Sequence, residues 1–255
     1  MELFKKINRL SVSREIMLQI KESILNGSIK SGEKIPTERE LTERFHVSRN
    51  MVREAIRGLE MSGYLEIHQG PRGGAFVKDF TPDRLSTGFL DFYIADRLTV
   101  MELNQARLYL EPEVARSAAK NINPRNSQLI METLKKEIFA EKLEDRLKIL
   151  TAIHCVLAEM CGNFFYEIMV NSLINITHEI ILNTFQDGED PPLHGVGQHD
   201  QIVETVLEGN PDGAARAMKD HLLKFSVALV DLDKKFRKKM VEDPQIFKKL
   251  NGYKH

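Results

Sequence analysis

Cysteine is scarce in this chain of 255 residues, which holds only Cys155 and Cys161. They match neither the paired spacing of a zinc ribbon nor a CxxC redox motif, so buried free thiols in a reducing compartment are expected. Long apolar runs are missing as well. No stretch approaches the roughly 18–20 residues needed to span a bilayer. The opening MELFKKINRL also lacks the apolar centre of a secretory signal. No repeat or low-complexity tract occurs. These absences lead us to expect a soluble, cytoplasmic protein with no membrane partner.

An excess of one charge is lacking too. Lys plus Arg number 36 against 37 Asp plus Glu, a net of −1, which offers no bulk attraction to a polyanion. The distribution is uneven, however. Residues 1–80 hold 14 cations and 11 anions, a net of +3, and residues 81–255 hold 22 and 26, a net of −4. The asymmetry has the right sign for an N-terminal polyanion binder, although it is small. With 42% hydrophobic and 29% charged residues, the chain can build two modest domains.

Ser13 to Asn26 reads as an amphipathic helix, with Ile16, Met17, Ile20, Ile24 and Leu25 at helical spacing and Gly27 as its stop. Thr37-Glu38-Arg39-Glu40 has capping-box spacing, so a second helix is expected from Thr37 to about Phe45. After a turn at His46-Val47, Ser48 caps a third helix, Arg49 to about Met61, closed by Gly63. YLEIH and AFV then read as short strands joined by the turn QGPRGG. Three helices and a hairpin within 80 residues make a winged helix-turn-helix.

In such a unit the helix after the turn enters the major groove with its first residues on base edges. Here it begins Ser48-Arg49-Asn50-Met51-Val52-Arg53. Arg49 and Arg53 share a face and suit bidentate contact with guanine or phosphate, while Asn50 suits adenine or phosphate. Arg39 lies within reach of the same groove, and Val47, Val52 and Ile56 supply the apolar underside. A merely solvated face is the plain alternative for Arg49, Arg53 and Arg57. The turn spacing and the glycine-containing wing weigh against it. The expected DNA contacts are Arg39, Ser48, Arg49, Asn50, Met51, Arg53, Gln69 and Gly70.

IPTERELTERFHVSRNMVREAIRGLEMSGYLEIHQGPRGGAFV (35–77) closely resembles the winged helix-turn-helix of GntR-family bacterial transcription regulators. The resemblance implies operator contacts by Arg39, Arg49 and Arg53 and a wing-tip Gly70 in the minor groove. Two departures stand out. His46 occupies a turn position that is usually glycine, where positive φ would strain it. Pro71 and Gly73 flank the wing tip where a cation sits in relatives.

DFTPDRLS (79–86) reads as a linker, and everything beyond it reads as helix: about 99–120, 125–138, 141–160, 164–185, 197–208 and 212–238. The fold class is therefore mainly α. The expected layout is a winged helix-turn-helix over 1–78, a linker over 79–86, an antiparallel all-α effector-binding and dimerisation domain over 87–238, and a tail over 239–255.

Three histidines fall on apolar stripes of that bundle. His154 follows Leu143, Leu147 and Leu150, His199 precedes Ile202 and Val206, and His221 lies among Ala214, Ala217, Met218, Phe225 and Leu229. His199 and His221 stand ten and eleven residues from the Gly209-Asn210 turn. At roughly 1.5 Å per residue, a hairpin folded there brings them level. Convergent imidazoles are what a buried first-row metal site requires. Singly, each histidine also fits a hydrogen-bonded core role. A three-histidine metalloenzyme is the rival reading, but His178-Glu179 lacks the second histidine of HExxH, and no carboxylate is obviously placed beside the three histidines.

ARLYLEPEVARSAA (106–119), IHCVLAEMCGN (153–163) and HDQIVETVLEGNPDGAARAMKDH (199–221) resemble the FCD effector domain of the FadR subgroup over roughly 90–230. The resemblance implies metal ligation by His154, His199 and His221, with zinc or nickel as the ion. It also implies an aspartate one turn before His154, where this chain has Leu150. Arg107 would meet the carboxylate of a small acid, or else pair on the surface with Glu111 or Glu113, and His178 would line the same pocket or sit in the core. The reading is a homodimeric, ligand-responsive repressor of operator DNA rather than an enzyme. A regulator with a metal-free, more apolar pocket is the alternative.

Overall fold

The computed structural model describes residues 12–79, 81–137, 142–186, 189, 191 and 197–243. The chain divides into two units, Met1–Thr81 and Pro82–His255.

In the first unit, α1 (Val12–Leu25) buries Ile16, Ile20 and Ile24, one residue per turn. Leu25, expected on the same stripe, is exposed because it follows Ile24 and is rotated a further 100° off the face. Helix α2 (Glu38–Phe45) starts with the expected capping box: the Thr37 hydroxyl accepts from Glu40 N at 3.3 Å and the Glu40 carboxylate accepts from Thr37 N at 2.7 Å. It closes at His46 in the left-handed region, φ 52 and ψ 44, so the residue that replaces glycine bears the strain. Helix α3 (Arg49–Met61) turns Val52, Ala55, Ile56 and Leu59 inward. Ser48 holds the N-cap position, but its side chain makes no capping bond, contrary to expectation.

Strands β1 (Leu65–His68) and β2 (Gly74–Val77) pair antiparallel, Leu65 with Val77 and His68 with Gly74. Leu65 and Val77 anchor this wing in the core formed with Ile35 and Leu41. The tight turn between the strands needs Gly73, where a Cβ would collide with the His68 carbonyl oxygen.

The second unit is helical: α4 (Asp83–Ile94), α5 (Val100–Lys120), α6 (Pro124–Leu134), α7 (Leu143–Met160), α8 (Phe164–Thr184), α9 (Asp200–Leu207) and α10 (Pro211–Glu242). Helix α4 begins inside the stretch read as linker. Pro82 at its N-cap has φ −56, already helical, so the proline starts a helix there and does not interrupt one. Helix α10 runs past the boundary expected at 238, and residues 244–255 of the expected tail lie outside the described residues. The other breaks follow from their chemistry. Asn123 and Asn210 cap the helices that open on Pro124 and Pro211, accepting from Asn126 N at 3.0 Å and Gly213 N at 2.9 Å.

Two apolar clusters fill the bundle. One gathers Ile153, Leu157, Ile202, Val206, Met218 and Leu222; the other gathers Leu103, Leu147, Ile180, Phe225, Leu229 and Phe236. Along α7 and α10 the first cluster gives way to the second near His154 and His221. The polar site therefore sits where the two cores meet. No helix among the described residues is long and apolar enough to cross a membrane.

Candidate functional site

In the first unit, Ser48, Arg49, Asn50, Met51 and Arg53 are all exposed on the opening turns of α3, and Gln69 and Gly70 are exposed at the wing. Arg39 is exposed on α2 and pairs with Glu43 at 3.0 Å. Arg53 forks onto Glu38, with Nε to Oε1 at 3.2 Å and Nη2 to Oε2 at 3.0 Å. An exposed pair of this kind is screened by solvent and weak. Glu38 therefore aims the guanidinium without holding it back from a phosphate or base.

In the second unit, α7, α10 and the N-cap of α9 bring His154, His221 and His199 together, all buried. One donor nitrogen from each lies within 4.8 Å of the other two. The hairpin sets His199 and His221 level, with ring centroids 4.5 Å apart, as the spacing predicts. His154 Nε2 and His199 Nε2 are 3.1 Å apart. Two ligands of one tetrahedral zinc stand roughly 3.3 Å apart at Zn–N bonds of about 2.0–2.1 Å, so this pair is already at ligand spacing.

Two carboxylates orient the rings. His154 Nδ1 hydrogen-bonds Glu111 on α5, and His199 Nδ1 hydrogen-bonds Glu137, just after α6. A proton held on Nδ1 by a carboxylate leaves the Nε2 lone pair facing the cluster centre. Burial keeps His154 below its usual pKa against the pull of Glu111. Burial, with His154 and His199 nearby, pushes His221 down to about 2. Burial alone would raise the Glu111 carboxyl, but Arg107 and His154 together hold it well below the usual carboxylate range. His154 and His221 thus offer imidazole donors in their ligating form, and the three histidines fit a divalent ion.

Neither carboxylate is legible in the sequence as a partner of the histidines. Glu111 had a readable signal, since it lies one turn after Arg107 and one turn before the buried Val114. Glu137 ends a lysine-rich stretch and carries none.

Arg107 pairs with Glu111, but in the core, 3% exposed, and not on the surface as the plainer alternative had it. Its Nη2 has no hydrogen-bond partner among the described residues. Arg107 and His178, the two residues expected to hold an effector, line one small cavity between α5, α7, α8 and α10, and Leu150 forms part of its wall. The free room is about 10 Å³, of the order of a single water molecule. His178 Nε2 meets Thr151 Oγ1 at 3.1 Å. Burial, reinforced by Arg107 and Lys148, pushes His178 down to about 4.

That depression has a consequence for stability. Below the ordinary histidine pKa of about 6.5 the unfolded chain takes up a proton that folded His178 refuses until about pH 4. Stability therefore falls with acidification across that window. His178→Gln should lose about 2 kcal/mol less than the unaltered protein between pH 7 and pH 5, read from urea unfolding at both values. Equal losses would contradict the buried neutral ring.

A winged helix that presents arginines, on one chain with a helical domain enclosing an imidazole cluster and a cavity, defines a ligand-responsive DNA-binding transcription regulator. Residues 12–77 match the model for bacterial regulatory proteins of the gntR family, and residues 102–224 match the FCD domain model. The chain belongs to the GntR family and carries an FCD domain. It is 28% identical over 243 residues to the HTH-type transcriptional repressor NanR of Citrobacter rodentium (strain ICC168), covering 92% of each chain. To NanR of Salmonella newport (strain SL254) it is 27% identical over 245 residues, 92% of this chain and 91% of that one. Its fold is like that of the Streptococcus agalactiae GntR structure, with a TM-score of 0.58 at 23% identity, covering 85% of this chain and all of that one. The family and these relatives are transcription regulators, not enzymes, so the metalloenzyme reading is set aside.

Proposed function

We propose that the protein is a cytoplasmic, homodimeric repressor whose helical domain senses a small organic acid through a bound divalent ion, zinc or nickel. His154, His199 and His221 would hold the ion, Arg107 would take the acid's carboxylate, and His178 would line the same pocket. The convergence of three buried imidazoles, two of them oriented by carboxylates, carries this reading. A bound divalent ion supplies Lewis-acidic positions that a carboxylate oxygen can fill. The chain's own contribution is to hold the Nε2 atoms inward, to exclude bulk water and to set a guanidinium beside the site. The experiment is metal analysis of protein purified and then supplied with zinc or nickel. One ion per chain is expected.

One observation favours a metal-free reading: Leu150 is buried where the family resemblance implies an aspartate ligand. Absence of stoichiometric metal after supply would select it.

On the DNA side, Arg39, Ser48, Arg49, Asn50, Met51, Arg53, Gln69 and Gly70 form the reading surface. In a dimer, two α3 helices would enter successive major grooves about 34 Å apart. Arg49→Ala should weaken specific operator binding by about 1–3 kcal/mol with little effect on nonspecific DNA. Unchanged operator affinity in a gel-shift titration would remove Arg49 from the base contacts.

A further inference from the structure

We propose that the acid sensed here is a monocarboxylic acid with a short aliphatic tail, bound with its carboxylate at Arg107 and its tail against Leu147, Leu150, Ile174, Ile181 and Phe225. Dicarboxylic and polyhydroxylated acids are excluded. The proposal rests on the reading of the helical domain as an acid sensor and names the class of acid.

Donor supply is the first ground. The cavity walls carry two threonines, but each hydroxyl donates to its own helix: Thr151 Oγ1 to Leu147 O and Thr177 Oγ1 to Leu173 O, both at 2.8 Å. His178 Nε2 is engaged with Thr151 Oγ1. Arg107 is nine-tenths buried or more; its Nε is bound to Glu111 and its Nη2 has no hydrogen-bond partner among the described residues, which leaves the fork to donate. One fork arm can satisfy one carboxylate. It cannot satisfy a row of hydroxyls, each of which would be buried unpaired at a loss of roughly tenfold or more in affinity.

Charge is the second ground. Among the described residues, Arg107 brings the one guanidinium or ammonium group that lines the cavity, and the wall around it is mostly apolar. A single carboxylate pairs with that guanidinium. Burying a second carboxylate among apolar side chains has nothing to offset it.

Shape is the third ground. Leu147, Leu150, Ile174, Ile181 and Phe225 make most of the wall, and the free room is of the order of one water. A tail enters only by pushing these side chains aside, so it is short, and its arrival moves α8 against α10.

The test is calorimetric titration of the zinc-loaded full-length protein with acetate, propionate, butyrate, succinate and gluconate. Affinity should rise about fourfold per methylene from acetate to butyrate. Succinate and gluconate should bind at least tenfold more weakly than butyrate. If succinate or gluconate matches or exceeds butyrate, the proposal is overturned while the acid-sensor reading survives. If the ion is present and no acid of either class binds, both fall together. Leu150→Asn should bring the butyrate-to-succinate ratio toward one, and an unchanged ratio in a folded variant would remove Leu150 from the tail site. Should that variant not fold, the acid series on the unaltered protein decides the matter by itself.

Discussion

Arg107→Ala is expected to destabilise the helical domain by about 3–5 kcal/mol, far more than the loss of an ordinary ion pair. The reason is where the pair sits. Arg107 and Glu111 are 3% and 1% exposed, and Glu111 also accepts from His154 Nδ1. Removing the guanidinium leaves a buried carboxylate with one imidazole to answer it. The carboxylate stays desolvated in the folded variant, but the pairing that offset that cost is gone. Denaturant unfolding followed by circular dichroism measures the loss. A second substitution separates lost charge pairing from lost packing. Glu111→Gln in the Arg107→Ala background removes the orphaned charge and keeps an acceptor for His154, so much of the loss should return. A loss below about 1 kcal/mol, the value of an exposed pair, would contradict the buried pairing.

His221→Ala should abolish the stabilisation that zinc or nickel confers. Of the three histidines it is the one to remove, because Glu111 and Glu137 are held by His154 and His199. Its loss deletes one ligand and leaves both carboxylate pairs intact. A ligand that binds the folded state alone, at a hundred times its Kd, stabilises by about 2.7 kcal/mol. The unaltered protein should gain that much, and His221→Ala almost none. Thermal melts with added metal and with chelator give both numbers. An equal gain in the two proteins would place the ion elsewhere.

Much of this architecture was legible in the residue order, and the exceptions have physical reasons. Caps are local chemistry, so Thr37 with Glu40, and the asparagines ahead of Pro124 and Pro211, announced their helices. The level pairing of His199 and His221 followed from one turn and the helical rise, because a hairpin couples positions equally far from its bend. Helix α4 is not legible in the sequence because a proline reads equally well as a break or a start, and only what packs beyond it decides. Glu137 was illegible for a related reason. It meets His199 across 62 residues, and a lone glutamate at a helix end looks solvent-bound until the tertiary contact buries it. Arg107 is half legible: the partner, Glu111, follows from helical spacing, but burial of the pair depends on α7 and α10 closing over it.

The near-zero net charge also makes sense in this light. The cations that matter are a few placed arginines on α2 and α3, and the helical domain balances them with acidic residues. Among those, Glu111 and Glu137 serve the histidine centre.

The central claim is that the acid and the operator bias each other's binding to one protein. The direct measurement is operator affinity by fluorescence anisotropy, with the zinc-loaded protein, in the absence and presence of saturating butyrate. The account predicts a fall in operator affinity of about 5–150-fold, equivalent to a coupling of about 1–3 kcal/mol. The same factor should reappear as weaker butyrate binding when operator is present. An operator affinity that stays the same while butyrate is demonstrably bound would contradict it.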